Sequence, residues 1–152
     1  MTTADNTLDE CKRHLRYLGA AAARISWPLT ADRMAAPDDE LVAALDQFAF
    51  RFARLQDTLG QKLFRAVLVG ALREPCEDSS IQDVLDRMER LRLLLSADRW
   101  EEIRAARNSL AHDYPDMPAQ WAAGLNVARP MVDEWPLSSV RWKPQPGADE
   151  PF

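Results

Sequence analysis

The 152-residue sequence contains few of the residues that build disulfide-rich or metal-binding proteins. Its two cysteines, Cys11 and Cys76, are too few for a disulfide framework, and no Cys or His cluster has metal-ligand spacing. We therefore expect no metal and no cofactor. No apolar stretch approaches the roughly 18 residues of a membrane span. The first residues lack the basic region and apolar run of a signal peptide, so we expect a cytoplasmic protein without membrane contact.

The charge balance excludes a further class of protein. With a net charge of −5, the surface as a whole is not that of a generic nucleic-acid binder. If the protein handles RNA, the contact must be a local patch of arginines, which supply 16 of the 19 basic residues. The sequence also has no glycine-rich phosphate loop, no strand-like alternation and no internal repeat.

Apolar residues at steps of three and four dominate most of the chain, and this spacing predicts amphipathic helices. We expect about five main helices in an all-α, up-and-down bundle over residues 1–136. Residues 137–152 are polar and rich in proline, and they predict an extended or disordered tail.

Polar capping residues predict where helices begin. Asn6 or Thr7 should cap the first helix, and residues 27–37 should form a connection to the second. A third helix should begin after Ser79 or Ser80.

The second helix should be unusually long for a small domain. Asp38 or Asp39 should cap it, and its apolar face continues to about Leu72. Gly60 and Gly70 should weaken it locally without breaking it.

The most distinctive stretch surrounds His112, one of only two histidines. Arg107 and Asn108 stand five and four residues before this histidine, and Tyr114, one of two tyrosines, stands two residues after it. Pro115 disfavours helix at the preceding residue, so the fourth helix should end near His112 to Tyr114. A cation, an imidazole and a phenol then lie at one helix end. Arg and His are also common there simply because they oppose the helix dipole.

This pattern of Arg, four residues, His, one residue and Tyr, with Asn after the Arg, resembles the signature of the HEPN superfamily. Within it, the tyrosine marks HepT-type toxins, which pair with an MntA-type nucleotidyltransferase. The segment from Arg51 to Phe64 also resembles the long second helix of these proteins. The resemblance covers roughly residues 5–135 and implies a helical bundle whose active members are metal-independent ribonucleases.

The residue chemistry suits such a reaction. His112 can move protons near neutral pH, and Arg107 can hold a phosphate while staying charged. Asn108 can orient His112 or hydrogen-bond the phosphate. Because each chain supplies one motif histidine for two proton transfers, we expect a two-fold homodimer, as the relatives form.

The resemblance gives Tyr114 a separate role as the residue to which the partner nucleotidyltransferase attaches AMP. Adenylylation would add bulk and negative charge beside Arg107 and His112, and would repel RNA.

Two questions stay open at this stage. Asp57 or Arg51 of the long helix could line the cleft that His112 faces, or Asp57 could merely pair with Arg54 on the surface. The alternative function is a non-catalytic HEPN partner or substrate-binding subunit of a nucleotidyltransferase, similar to an antitoxin. A structural dimer without chemistry is the third reading.

Overall fold

A computed structural model describes residues 3–71, 79–91, 96–111 and 117–134 of the chain. Every regular element in these ranges is helical and none is a strand, which confirms the predicted all-α fold. The predicted tail, residues 137–152, lies outside the described residues. No helix in the described part of the chain is both long and apolar enough to cross a membrane.

The described α-helices are α1 (Thr3–Ala23), α2 (Ala31–Ala35), α3 (Asp39–Thr58), α4 (Phe64–Ala66), α5 (Ile81–Arg90), α6 (Ala97–Leu110) and α7 (Pro118–Met131). Two π-helical stretches, Leu59–Leu63 and Val67–Ala71, flank α4. Together with α3 and α4 they make one continuous helical segment over residues 39–71, called the long segment below. A 3₁₀ turn, Val132–Glu134, follows α7.

The long segment is the predicted second helix. Its start is confirmed, because the Asp38 carboxylate accepts a hydrogen bond from the backbone N–H of Leu41 at 2.8 Å. It continues to Ala71, but each π-helical stretch contains one of the two glycines, Gly60 and Gly70. Glycine has a weak helical preference, so it lowers the cost of widening the helix at these points.

Large apolar side chains of the long segment form the centre of the core. Phe48, Phe52 and Phe64 are fully buried. Phe64 meets the ring of Trp100 from α6 edge-on, with 4.9 Å between ring centroids. Each buried side chain of this size contributes about 1.5–3 kcal/mol of hydrophobic free energy, so this contact fixes α6 against the long segment.

The first helix begins earlier than predicted. It starts at Thr3, with Asp5 in its first turn, where a negative charge opposes the helix dipole. The predicted caps Asn6 and Thr7 are therefore wrong, and Thr7 is buried inside the helix at 7% exposure.

The predicted connection over residues 27–37 contains the short helix α2. The Thr30 hydroxyl accepts a hydrogen bond from the backbone N–H of Arg33 at 3.3 Å and begins this helix. The Asn126 amide of α7 holds the preceding loop, accepting from Leu29 N at 2.8 Å and donating to Leu29 O at 2.9 Å. A helix of five residues is too short to produce a periodic apolar pattern, which explains why the sequence analysis missed it.

The bundle is arranged around the long segment. Helix α1 packs along α3, and α6 packs between α3 and α7, while α5 contacts both α4 and α6. Ser80 and Ser96 cap α5 and α6 through their hydroxyls, which confirms the predicted start of the third helix. This packing places the polar residues of α6 beside those of the long segment.

Candidate functional site

Helix α6 carries the two motif residues that the structure describes, Arg107 and Asn108. Its apolar face includes Trp100, Ile103 and Ala106, all buried, so Arg107 follows directly on the last of them. The helix ends at Leu110, two residues before His112. His112 and Tyr114 lie outside the described residues, and their predicted roles stay predictions.

Arg107 forms a bidentate ion pair with Asp57 of α3. Its Nε donates to Asp57 Oδ1 at 3.2 Å, and its Nη2 donates to Oδ2 at 3.0 Å. The alternative surface pair between Asp57 and Arg54 is not the one formed, because Arg54 instead lies 4.0 Å from the Glu10 carboxylate. Asp57 is thus the polar partner that the long helix offers to the motif arginine.

The ion pair leaves part of the Arg107 guanidinium available. A guanidinium has five N–H donors, and Asp57 accepts from Nε and from one hydrogen of Nη2. No described residue occupies the outer edge, formed by Nη1 and the second hydrogen of Nη2, so three donors remain there within the described part of the chain. A phosphate can bind this outer edge in bidentate fashion while Asp57 binds the edge formed by Nε and Nη2. Asp57 therefore positions Arg107 without blocking an anion.

The pair lies in a cleft of about 410 Å³ between the long segment and α6. Such a volume suits a small ligand or one unit of a polymer. Among the described residues, the charged side chains of the lining are three arginines and one aspartate: Arg65, Arg104, Arg107 and Asp57. The cleft is therefore locally basic although the whole chain carries a net charge of −5. Asn108 also lines it.

Amide and apolar groups form the rest of the lining. Gln56 is 6% exposed, and its side-chain amide forms no hydrogen bond with the described part of the chain. Its Nε2 lies beside Gly60, where an added Cβ would stand 3.9 Å from that nitrogen and 3.1 Å from Trp100 Cζ2. Glycine at position 60 thus permits the close approach of Trp100 at the base of the cleft.

Arg51 does not join Asp57 at this cleft. Its Nη1 lies 2.9 Å from Nδ1 of His14 on α1, so this imidazole nitrogen accepts from the guanidinium. The Arg51 guanidinium also lies over two exposed rings, 4.6 Å from the centroid of Tyr17 and 5.4 Å from that of Phe50. The predicted position of Arg51 on the cleft wall therefore finds no support in this geometry.

Burial affects the titration of two groups on α1. The pKa of His14 is lowered from 6.5, mainly by burial and further by Arg51, while the nearby Glu10 opposes the shift. Burial, reinforced by Glu10, raises the pKa of the Cys11 thiol to about 12. His14 is therefore neutral and Cys11 protonated at neutral pH.

Sequence reasoning missed the position of Gln56 and His14. Gln56 follows Phe52 by four residues, and His14 follows Cys11 by three, so both are polar residues on otherwise apolar helix faces. That interruption of the apolar face was the available signal.

Among the described residues, no group of three or more His, Cys, Asp or Glu side chains could hold a metal ion. No protein-family model, curated protein or solved structure matches the chain. The site must therefore be interpreted from its own chemistry and from the motif.

Proposed function

We propose that this chain is a metal-independent endoribonuclease of the HEPN type, acting in the cytoplasm as the toxin of a toxin–antitoxin pair. One observation carries the proposal: Arg107, the first motif residue, lines a basic cleft, Asp57 holds one edge of its guanidinium, and no described residue occupies the other edge. Asn108 lines the same cleft, and His112 follows the end of the same helix by two residues.

In the proposed reaction, the ribose 2′-oxygen attacks the neighbouring phosphorus. His112 of one protomer takes the proton from the 2′-hydroxyl, and the new 2′-O–P bond forms as the P–5′-O bond breaks. Protonated His112 of the second protomer gives its proton to the departing 5′-oxygen. The Arg107 edge neutralises the charge that develops on the phosphate oxygens. The products are a 2′,3′-cyclic phosphate and a free 5′-hydroxyl.

The mechanism requires a two-fold homodimer that brings both His112 side chains to one cleft. Light scattering at tens of micromolar should give a mass near twice the chain's 17.2 kDa. A monomer at that concentration would argue strongly against two-histidine catalysis.

We further propose that Tyr114 is the site of control. A cognate MntA-type nucleotidyltransferase with ATP and magnesium would transfer AMP to the phenol oxygen and release pyrophosphate. The added phosphate would compete with RNA for the positive charge of Arg107. Intact-mass spectrometry should find the adenylyl increment on wild type but not on Tyr114→Phe. The same increment on Tyr114→Phe would place the modification at another residue.

The alternative function is a non-catalytic partner of a nucleotidyltransferase. Asp57 favours this reading, because it already neutralises part of the charge of Arg107, and the net charge of −5 opposes strong RNA binding. In that case the cleft and the motif would form a docking surface.

Inducible expression in a bacterium separates the two functions. The ribonuclease toxin should stop growth as wild type, whereas Arg107→Ala and His112→Ala should not, because one lacks the phosphate contact and the other the proton carrier. Arg24→Ala removes an exposed arginine outside the cleft lining, so it controls for the loss of a positive charge and should stop growth as wild type does. Equal growth of cells expressing wild type and all three variants would favour the non-catalytic partner.

A further inference from the structure

The Gln56 amide is the unusual polar group of the cleft. It is 6% exposed, lines the cleft, and has no hydrogen-bond partner within the described residues. Its oxygen and nitrogen are not among the fully enclosed side-chain atoms without a partner, so the amide reaches the open space of the cleft and is not sealed in the core. An apolar side chain would suit the same position, four residues after Phe52 on a buried helix face, at least as well for packing. The amide is thus more useful to a ligand than to the fold.

The groups around the amide define what the ligand must contain. Gln56 precedes Asp57, the residue that holds Arg107, so the amide and the guanidinium belong to the same cleft. The neighbouring lining consists of the flat ring of Trp100, the small residue Gly60 and the apolar side chain of Ile81. A ligand that satisfies all of these groups has an anionic end for Arg107 and a planar end with paired polar atoms for Gln56. A nucleotide has both.

We propose that Gln56 recognises an adenine base next to the phosphate held by Arg107. A glutamine amide offers one acceptor and two donors, and it pairs in bidentate fashion with the N6 amino group and N7 of adenine. This inference rests on the proposed ribonuclease function and adds the base preference of the cut. Gln56 acts in specificity, while Arg107 and His112 act in the chemistry.

Selectivity should be large enough to measure. A bidentate amide–base pair discriminates against the wrong base by about 5- to 150-fold. Gln56→Leu removes both hydrogen-bonding groups at similar volume and should abolish this discrimination. Because the amide has no partner among the described residues, the same change should leave the thermal midpoint equal or higher. Gln47→Leu makes the identical substitution on α3 outside the cleft lining and is the matched control.

The test is digestion of a degenerate RNA library followed by sequencing of the cut ends. Wild type and Gln47→Leu should enrich adenine about fivefold or more at one position flanking the cut, and Gln56→Leu should cut with no enrichment. Cleavage by wild type without a preference for adenine, or a preference that survives in Gln56→Leu, would overturn the inference while keeping the ribonuclease.

Binding of non-cleavable 2′-O-methyl dinucleotides, measured by calorimetry, separates the two proposals. Wild type should bind the adenine dinucleotide at least about fivefold more tightly than the cytosine dinucleotide, and Gln56→Leu should bind both alike. That binding pattern without any RNA cleavage would overturn the ribonuclease and keep the adenine site. Equal binding of both dinucleotides by wild type would overturn the adenine site.

Discussion

Removing either partner of the Asp57–Arg107 ion pair should destabilise the bundle, and the two losses should not add. The pair joins α3 to α6 through two charge-assisted hydrogen bonds, 3.2 and 3.0 Å long. Its side chains are 31% and 29% exposed, so solvent screens the interaction and the value for a buried pair does not apply. Exposed pairs contribute about 0.2–1 kcal/mol, and bidentate geometry places this one near the top, at about 1 kcal/mol.

A double-mutant cycle measures this coupling. Urea unfolding of wild type, Asp57→Ala, Arg107→Ala and the double variant should give a coupling free energy of about 1 kcal/mol. For a chain of this length, a loss of that size lowers the thermal midpoint by about 2–4 °C. All four proteins must be compared at one concentration, because the proposed dimerisation would make stability depend on concentration.

The cycle has a built-in control in the pair between Arg129 and Asp133 of the last turns. Its atoms are 3.5 Å apart, and the aspartate is 77% exposed, so its coupling should be about 0.5 kcal/mol or less. If the coupling between Asp57 and Arg107 were no larger than this control, the aspartate would not hold the arginine in solution. The claim that Asp57 positions the outer edge of the Arg107 guanidinium for a phosphate would then be contradicted.

Two further predictions follow from the buried groups of α1. Stability should rise with pH below about 6.5, by at most about 1.4 kcal/mol per pH unit, because unfolded His14 binds a proton that the folded state, with its lowered pKa, resists. In His14→Gln, the urea midpoint should depend less on pH between 4.5 and 7.5 than in wild type. An unchanged slope of midpoint against pH would assign the effect to other groups. Cys11, with its pKa raised to about 12, should resist iodoacetamide at pH 8 in the folded protein and react in urea. Mass spectrometry on a Cys76→Ser background checks this, and rapid labelling of the folded protein would contradict the burial of the thiol.

More of the fold than of the candidate site could be predicted from the sequence. Helices of ten residues or more were predicted because their apolar faces repeat at steps of three and four, as Phe48, Phe52 and Leu55 do. Five-residue α2 leaves no such pattern. The start of α1 was misplaced because Asn6 and Thr7 are good caps locally, yet the helix extends to Thr3.

The candidate site depended on distances that no local pattern contains. Asp57 and Arg107 are 50 residues apart, and Asp57 had an equally plausible local partner in Arg54. Only the packing of α6 on α3 decides between them. For Arg51, packing has the opposite effect and directs the residue away from the cleft. Its contact with His14 at 2.9 Å depends on the packing of α1 along α3.

The central claim is tested most directly by incubating the purified protein with RNA in excess EDTA and analysing the new ends. The proposed mechanism predicts cleavage by wild type with 2′,3′-cyclic phosphate and 5′-hydroxyl ends. It also predicts no cleavage by His112→Ala, and only partial rescue when Lys replaces Arg107, because Lys lacks the planar fork. Cleavage by His112→Ala at the wild-type rate, or wild-type cleavage that EDTA abolishes, would contradict it.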